Sequence, residues 1–227
     1  MALFAIGDTH LSLGASKPMD VFGGRWEGYV DKLRAGFAEM VGPEDTVVLC
    51  GDLSWGMSLE EAEPDFAFLD ALPGGRKLLL KGNHDYWWTT AAKMERFFAE
   101  KGFSTLRILH NNCYEYGPYA LCGTRGWFFE ETGDQKVFRR EVIRLEASLK
   151  AAGERPKLCF LHYPPLYRGY ACPELIEVME RYGVELCCYG HLHGASHRLA
   201  AEGKRGSVEY RLVSADYLGF RPQKICE

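Results

Sequence analysis

The sequence predicts an α/β protein in which two mixed β-sheets pack face to face with helices outside, a four-layer α/β/β/α sandwich. Three observations predict it. Short apolar runs alternate with amphipathic helical patterns along most of the chain, as in βα units. The alternation breaks between Leu106 and Cys122 into short strands, so the strands fall into two blocks. Histidines and carboxylates follow the apolar runs, at the strand ends where an α/β sheet gathers its functional side chains.

The first block opens with the run Leu3 to Ile6 and continues with Thr46 to Cys50 and Lys77 to Leu80. These apolar runs read as strands. Helical patterns separate them at Trp26 to Met40, Ser58 to Leu72 and Thr89 to Lys101. Short strands are expected at Leu106 to Leu109, Cys113 to Tyr116 and Tyr119 to Cys122, with Gly117-Pro118 as a turn. A helix over Asp134 to Ala151, a strand over Leu158 to Leu161, a helix over Pro173 to Tyr182 and a strand over Leu186 to Tyr189 restore the alternation. A final hairpin is predicted from Ser196 to Ala200 and Ser207 to Val213, joined through Glu202-Gly203-Lys204-Arg205-Gly206. Residues 11 to 25, with Gly14, Pro18, Gly23 and Gly24, read as a long loop of the kind that often carries function.

The 227 residues accommodate one large domain spanning 1 to 227, without repeats or linkers. With 31 acidic and 27 basic residues the net charge is −4, which disfavours nucleic acid as a partner. The densest basic stretch, Lys136 to Arg144, is interleaved with Val137, Phe138, Val142 and Ile143 and reads as an amphipathic helix. None of the eight cysteines forms a C-x-x-C pair, and several sit in strand runs, as small hydrophobes do in a reducing compartment. With no charged leader and no run of 18 apolar residues, a cytoplasmic protein without membrane contact is expected. Oligomeric state is not readable.

Five segments carry the chemistry: Gly7-Asp8-Thr9-His10, Gly51-Asp52, Gly82-Asn83-His84-Asp85, His162 and Gly190-His191-Leu192-His193. They hold five of the seven histidines. Two divalent cations about 3.5 to 4 Å apart can clamp both oxygens of a phosphoryl displacement, provided a carboxylate bridges them and imidazoles complete their shells. Asp8 and His10, two apart in an extended turn, can face one cation. Asp52 suits the bridge, because a carboxylate has two oxygens and a charge that offsets both cations.

In order and spacing, D-x-H, G-D, G-N-H-D, H and G-H-x-H resemble the calcineurin-like metallophosphoesterase superfamily from Asp8 to His193. The resemblance implies the α/β/β/α sandwich and two divalent metal ions. Asp8, His10 and His193 would bind the first and Asn83, His162 and His191 the second, with Asp52 between them. His84 is implied as the catalytic histidine that stabilises the transition state or protonates the leaving oxygen. Asp85 joins it in the catalytic group as the carboxylate that accepts a hydrogen bond and fixes geometry. The implied reaction is hydrolysis of a phosphomonoester or phosphodiester, with nucleotides among the candidates, by attack of metal-bound hydroxide. Manganese, iron, zinc, cobalt and nickel all suit such ligands.

Substrate recognition is less defined. Arg125 has two readings, a fork onto a phosphate or an ion pair. Tyr86-Trp87-Trp88 either wall the cleft or pack at the head of a helix, and Trp26, Trp55 and Trp127 carry the same ambiguity. His197, placed at a strand start, and His110 read mainly as core histidines. After Gly51-Asp52 the chain lacks the G-D-x-x-D-R-G pattern of the superfamily's phosphoprotein phosphatases, and Trp55 stands where their histidine-orienting Asp would be. This turns the reading toward the small bacterial-type phosphohydrolases and a small phosphate-ester substrate. Two alternatives are a nuclease of the same superfamily and a protein-binding scaffold like the retromer subunit. The scaffold lacks the catalytic histidine, and here His84 is present.

Overall fold

The computed structural model describes residues 1–127 and 135–227. Its strands in chain order are β1 (Leu3–Ile6), β2 (Thr46–Leu49), β3 (Arg76–Leu79), β4 (Leu106–Ile108), β5 (Cys113–Tyr116), β6 (Tyr119–Thr124), β7 (Lys157–Leu161), β8 (Leu166–Tyr167), β9 (Tyr170–Ala171), β10 (Val184–Tyr189), β11 (Gly203–Arg205), β12 (Val208–Leu212) and β13 (Gln223–Cys226). The helices are α1 (Tyr29–Met40), α2 (Glu63–Ala71), α3 (Ala91–Lys101), α4 (Gln135–Ala151) and α5 (Pro173–Arg181).

One sheet has the order β13-β1-β2-β3-β4 and the other β11-β12-β10-β7-β6-β5. In the first, β1 to β4 run parallel and β13 antiparallel. In the second, β6, β7, β10 and β12 are parallel while β5 and β11 close the edges antiparallel. The pleat then builds the layers. Leu3 and Ala5 point into the space between the sheets, where they meet Leu121, Leu158, Phe160 and Cys188. Phe4 and Ile6 point outward onto Leu33, Phe37, Phe66 and Phe98 of the first three helices. On the far side Cys159, Leu161, Cys187 and Tyr189 pack under Leu145 and Leu149 of α4 and Leu175 and Met179 of α5. The four-layer α/β/β/α sandwich predicted from the strand blocks is the observed fold.

Several boundaries move for local reasons. The first helix begins at Tyr29 rather than Trp26, because Gly28 takes φ 60 in the left-handed region. The second begins at Glu63 rather than Ser58, since Pro64 is tolerated only in a first turn. Thr90 caps the third, its side chain accepting from the Lys93 N–H. The predicted start of the fourth, Asp134, lies outside the described residues. Ser196 to Ala200 is not a strand: Gly194–Leu199 is a 3-10 helix, opened by a reciprocal cap between His193 and Ser196. The terminal hairpin is therefore β11 with β12, turning at Gly206-Ser207. The edge strand β13, the β8–β9 hairpin and the 3-10 helix Met19–Phe22 were not foreseen, and Gly203–Arg205, read as part of a connection, is the strand β11. All eight cysteines are free. Among the described residues no helix is long and apolar enough to cross a membrane.

Candidate metal centre

The segments that carry the predicted ligands leave β1, β2, β3, β7 and β10 at their carboxyl ends and meet where the two sheets share a rim. Backbone hydrogen bonds lace them together: Asp8 N–H to the Gly51 carbonyl (2.8 Å), His10 N–H to the Asp52 carbonyl (2.9 Å) and Gly190 N–H to the His162 carbonyl (3.0 Å). The turns are tight enough that Asp8, His10, Asp52 and His191 take left-handed φ values of 58, 45, 51 and 72. Such conformations cost on the order of 1 kcal/mol or more each for non-glycine residues and cluster where function requires them. The glycines of the motifs have a steric reason. A Cβ at Gly82 would fall on the Asp52 carboxylate, and one at Gly190 on that of Asp8.

Two groups of side chains could each hold a cation: Asp8, His10 and His193, and Asp8, Asp52 and His162, with ligand atoms within 4.8 Å of one another in each group. Asp8 thus belongs to both, a sharing that the sequence reading reserved for Asp52. Asp52 also lies between them, its Oδ2 being 3.7 Å from His10 Nε2 and 3.6 Å from His162 Nε2. Asn83 and His191 join the second group, with Asn83 Oδ1 2.7 Å from His162 Nε2 and 3.1 Å from His191 Nδ1. All seven sequence-predicted ligands therefore converge on one place.

Their protonation is set by burial and by one another. Burial, with Asp85 and Asp8 nearby, raises the Asp52 carboxyl well above the ordinary range. Asp8 is as deeply buried, yet the charge of His193, with His162 and His10, outweighs that burial and holds its carboxyl low. Burial pushes His10 and His162 down and takes His191 to about 3. His193 goes the other way: burial opposes its charge, but Asp8 and Asp216 prevail and raise it to about 10.

The donor set fits divalent cations. His162 Nδ1 faces the Cys50 carbonyl at 3.1 Å, so it carries the proton and Nε2 presents a lone pair. That lone pair points at another, on the amide oxygen of Asn83 at 2.7 Å. Two acceptors held together in a buried site are what a cation between them would satisfy. Carboxylates, imidazoles and an amide oxygen, with no thiolate, suit a borderline divalent ion.

The remaining predicted residues lie around this centre. His84 is outside both groups; its N–H donates to Asp52 Oδ1 at 2.8 Å, and its Nδ1 is 3.3 Å from the Tyr86 hydroxyl. Asp85 is buried and accepts from the N–H groups of Asp52, Leu53, Ser54 and Gly82 and from Trp87 Nε1. It binds the Asp52 loop to the Asn83 loop. Trp55 stacks on His10 at 5.1 Å and packs on His84 at 4.5 Å, while Trp26 lies 5.8 Å from both His10 and His193. Trp127 packs on Phe138, and Trp88 on His110. Arg125 is directed at Glu141, with Nη2 3.5 Å from a carboxylate that also takes Arg144 at 2.6 Å. Its carbonyl receives the N–H groups of His162 and Tyr163.

One residue that touches the candidate centre was not among those predicted. Asp216 is buried, accepts from His193 Nδ1 at 2.9 Å and from Gly194 N–H at 3.0 Å, and lies 3.2 Å from His197 Nε2. It orients His193 and brings His197 to the edge of the centre. The signal was present, since Asp216 follows the run Val208 to Val213 as the other carboxylates follow theirs.

With this geometry established, comparison with known proteins places the chain. The family model for calcineurin-like phosphoesterases matches residues 1–195. No curated protein matches the sequence. Among solved structures, a protein of unknown function from Aquifex aeolicus is similar at 17% identity and TM-score 0.55, over 98% of this chain and 95% of that one. A protein from Thermus thermophilus is similar at 16% identity and TM-score 0.56, over 99% of this chain and 97% of that one. Both likenesses concern the fold.

Proposed function

The chain belongs to the calcineurin-like phosphoesterase family, and from that premise we propose that it is a dinuclear metal-dependent phosphoesterase of the cytoplasm, acting as one domain on a small phosphomonoester or phosphodiester. The observation that carries the reading is the pair of ligand groups that share Asp8, with Asp52 between His10 and His162 and His84 beside the groups and in neither. Asp8, His10 and His193 would hold one cation and Asn83, His162 and His191 the other. Manganese is the first candidate.

Cations held there would supply Lewis-acid charge for the phosphoryl oxygens and would lower the pKa of a water to about 7. The chain does the rest. Neutral His10, His162 and His191 and the uncharged Asn83 keep the pocket attractive to a phosphate anion. His84, steadied by Trp55 and Tyr86, faces the leaving oxygen and stabilises or protonates it. Asp85 and Asp216 position rather than react, the first by binding two loops and the second by fixing the His193 ring. Arg125 is better supported as a brace for the β7 end than as a phosphate fork, because Glu141 already engages its guanidinium. Hydrolysis of p-nitrophenyl phosphate and bis-p-nitrophenyl phosphate by manganese-reconstituted protein tests the reading. Turnover of either ester, lost in Asp52→Asn, is expected; no turnover of either with cations bound would overturn it.

A further inference from the structure

The rim of the metal centre carries an apolar groove that the proposed chemistry does not use. Ser16, Lys17, Pro18, Met19, Val21, Phe22 and Trp55 enclose about 420 Å³. Val21 and Phe22 are 74% and 70% exposed, on a 3-10 turn whose only buried residue is Met19. A free-standing turn gains nothing by turning a valine and a phenylalanine to water. Leu13 and Met57, also exposed, lie on the same two loops.

Those loops are held in place. Leu11 N–H donates to the Leu53 carbonyl and Trp55 N–H to the Leu11 carbonyl, each at 2.9 Å. Beneath them the buried Asp65 accepts from Leu13 N–H at 2.7 Å and from Ser54 Oγ at 2.5 Å. The groove is continuous with the reaction centre through Trp55, which lines it and also touches His10 and His84. At this junction the Lys17 ammonium lies 4.8 Å from the centre of the Trp55 ring. The order along the surface is therefore metal ligands, a cation on an indole, and then aliphatic and phenyl surface. With the Trp55 ring engaged by His10 and Lys17, the rest of the apolar groove surface is that of Pro18, Met19, Val21 and Phe22.

We propose that this groove binds an apolar substituent of the phosphate ester, so that the substrate class is an amphiphile whose phosphate sits at the metal centre and whose alkyl group lies along Met19, Val21 and Phe22. This inference rests on the phosphoesterase reading. Each methylene moved from water to apolar surface contributes up to about fourfold in affinity, and an open groove recovers part of that.

The test compares methyl p-nitrophenyl phosphate with hexyl p-nitrophenyl phosphate on manganese-reconstituted protein, below the concentration at which the hexyl ester aggregates. A kcat/KM ratio of hexyl to methyl of about tenfold or more is expected in the parent protein. In the double variant Val21→Ser, Phe22→Ser the ratio should fall to about twofold or less. Equal rates for the two esters, or a ratio that survives the double substitution, would overturn the proposal. If neither diester is hydrolysed, p-nitrophenyl phosphate turnover decides the phosphoesterase reading separately, and the groove is judged by calorimetry with hexyl phosphate and methyl phosphate. Tighter binding of hexyl phosphate, lost in the double variant, upholds the groove; equal binding refutes it.

Discussion

The two groups of side chains that could hold cations are built from similar residues in opposite electrostatic settings. In the first, the His193 side chain is 31% exposed and is clamped between Asp8 and Asp216, which hold it as a cation up to a pKa of about 10. In the second, the His162 side chain has no exposure, donates to the Cys50 carbonyl and is kept neutral by burial. The difference teaches that ligand identity does not fix binding behaviour. On the proposed reading the outer half would have to release the His193 proton to accept a cation, whereas the histidines of the inner half already present their lone pairs.

The sharpest way to break the comparison is to remove what the halves share. Asp52→Asn should lower turnover by about a thousandfold or more, on the order of 4 kcal/mol of transition-state stabilisation. It should also reduce cation content measured on the dialysed protein; a variant that keeps full activity would show that Asp52 is not between the cations. His84 belongs to neither half. His84→Ala should cost about 10² to 10⁴ in kcat while leaving the cation content at the parent value, and a loss of bound metal would reassign it as a ligand.

Asp216→Asn separates the halves. Losing the carboxylate that orients His193 should weaken the outer cation by about 10- to 100-fold and spare the inner one, as read from the two phases of a calorimetric titration. Equal weakening of both phases would mean that Asp216 supports the whole rim. The same titration sharpens the contrast in pH. Because His193 is raised from 6.5 to about 10, outer-site affinity should rise about tenfold per pH unit below pH 10, with nearly one proton released per ion at pH 8. The inner-site histidines, kept neutral by burial, should add no such slope near neutrality. In the metal-free protein the sign of linkage is that of a raised histidine: its contribution to stability is present in full below pH 6.5 and is lost as the pH rises through about 10. The smallest effect is expected at Arg125, which touches the centre only through its backbone. Arg125→Ala should change kcat by less than about threefold, and a loss of a hundredfold would restore the phosphate-fork reading.

What could be read in advance follows from where each signal lies. Buried parallel strands such as Leu3–Ile6 announce themselves as apolar runs, and each ligand segment stands directly after one, so the rim was legible from order alone. The edge strand Gln223–Cys226 was not, because its pairing with β1 is decided by tertiary contact and its sequence carries no alternation. His197 was misplaced on a strand because the cap between His193 and Ser196, which starts a 3-10 helix there, depends on side-chain geometry rather than pattern. Asp216 was passed over because it joins no histidine motif, although it occupies a strand end as Asp8 and Asp52 do. Trp55 was noted for the aspartate it replaces, but its contacts with both His10 and His84 arise only when loops far apart in sequence are brought together.

The most direct test of the central claim is a crystal of the protein soaked in manganese and measured for anomalous scattering. Two adjacent peaks are predicted, one among Asp8, His10 and His193 and the other among Asn83, His162 and His191, with the Asp52 carboxylate between them. A single peak, or two that do not share Asp52 or Asp8, would contradict the account.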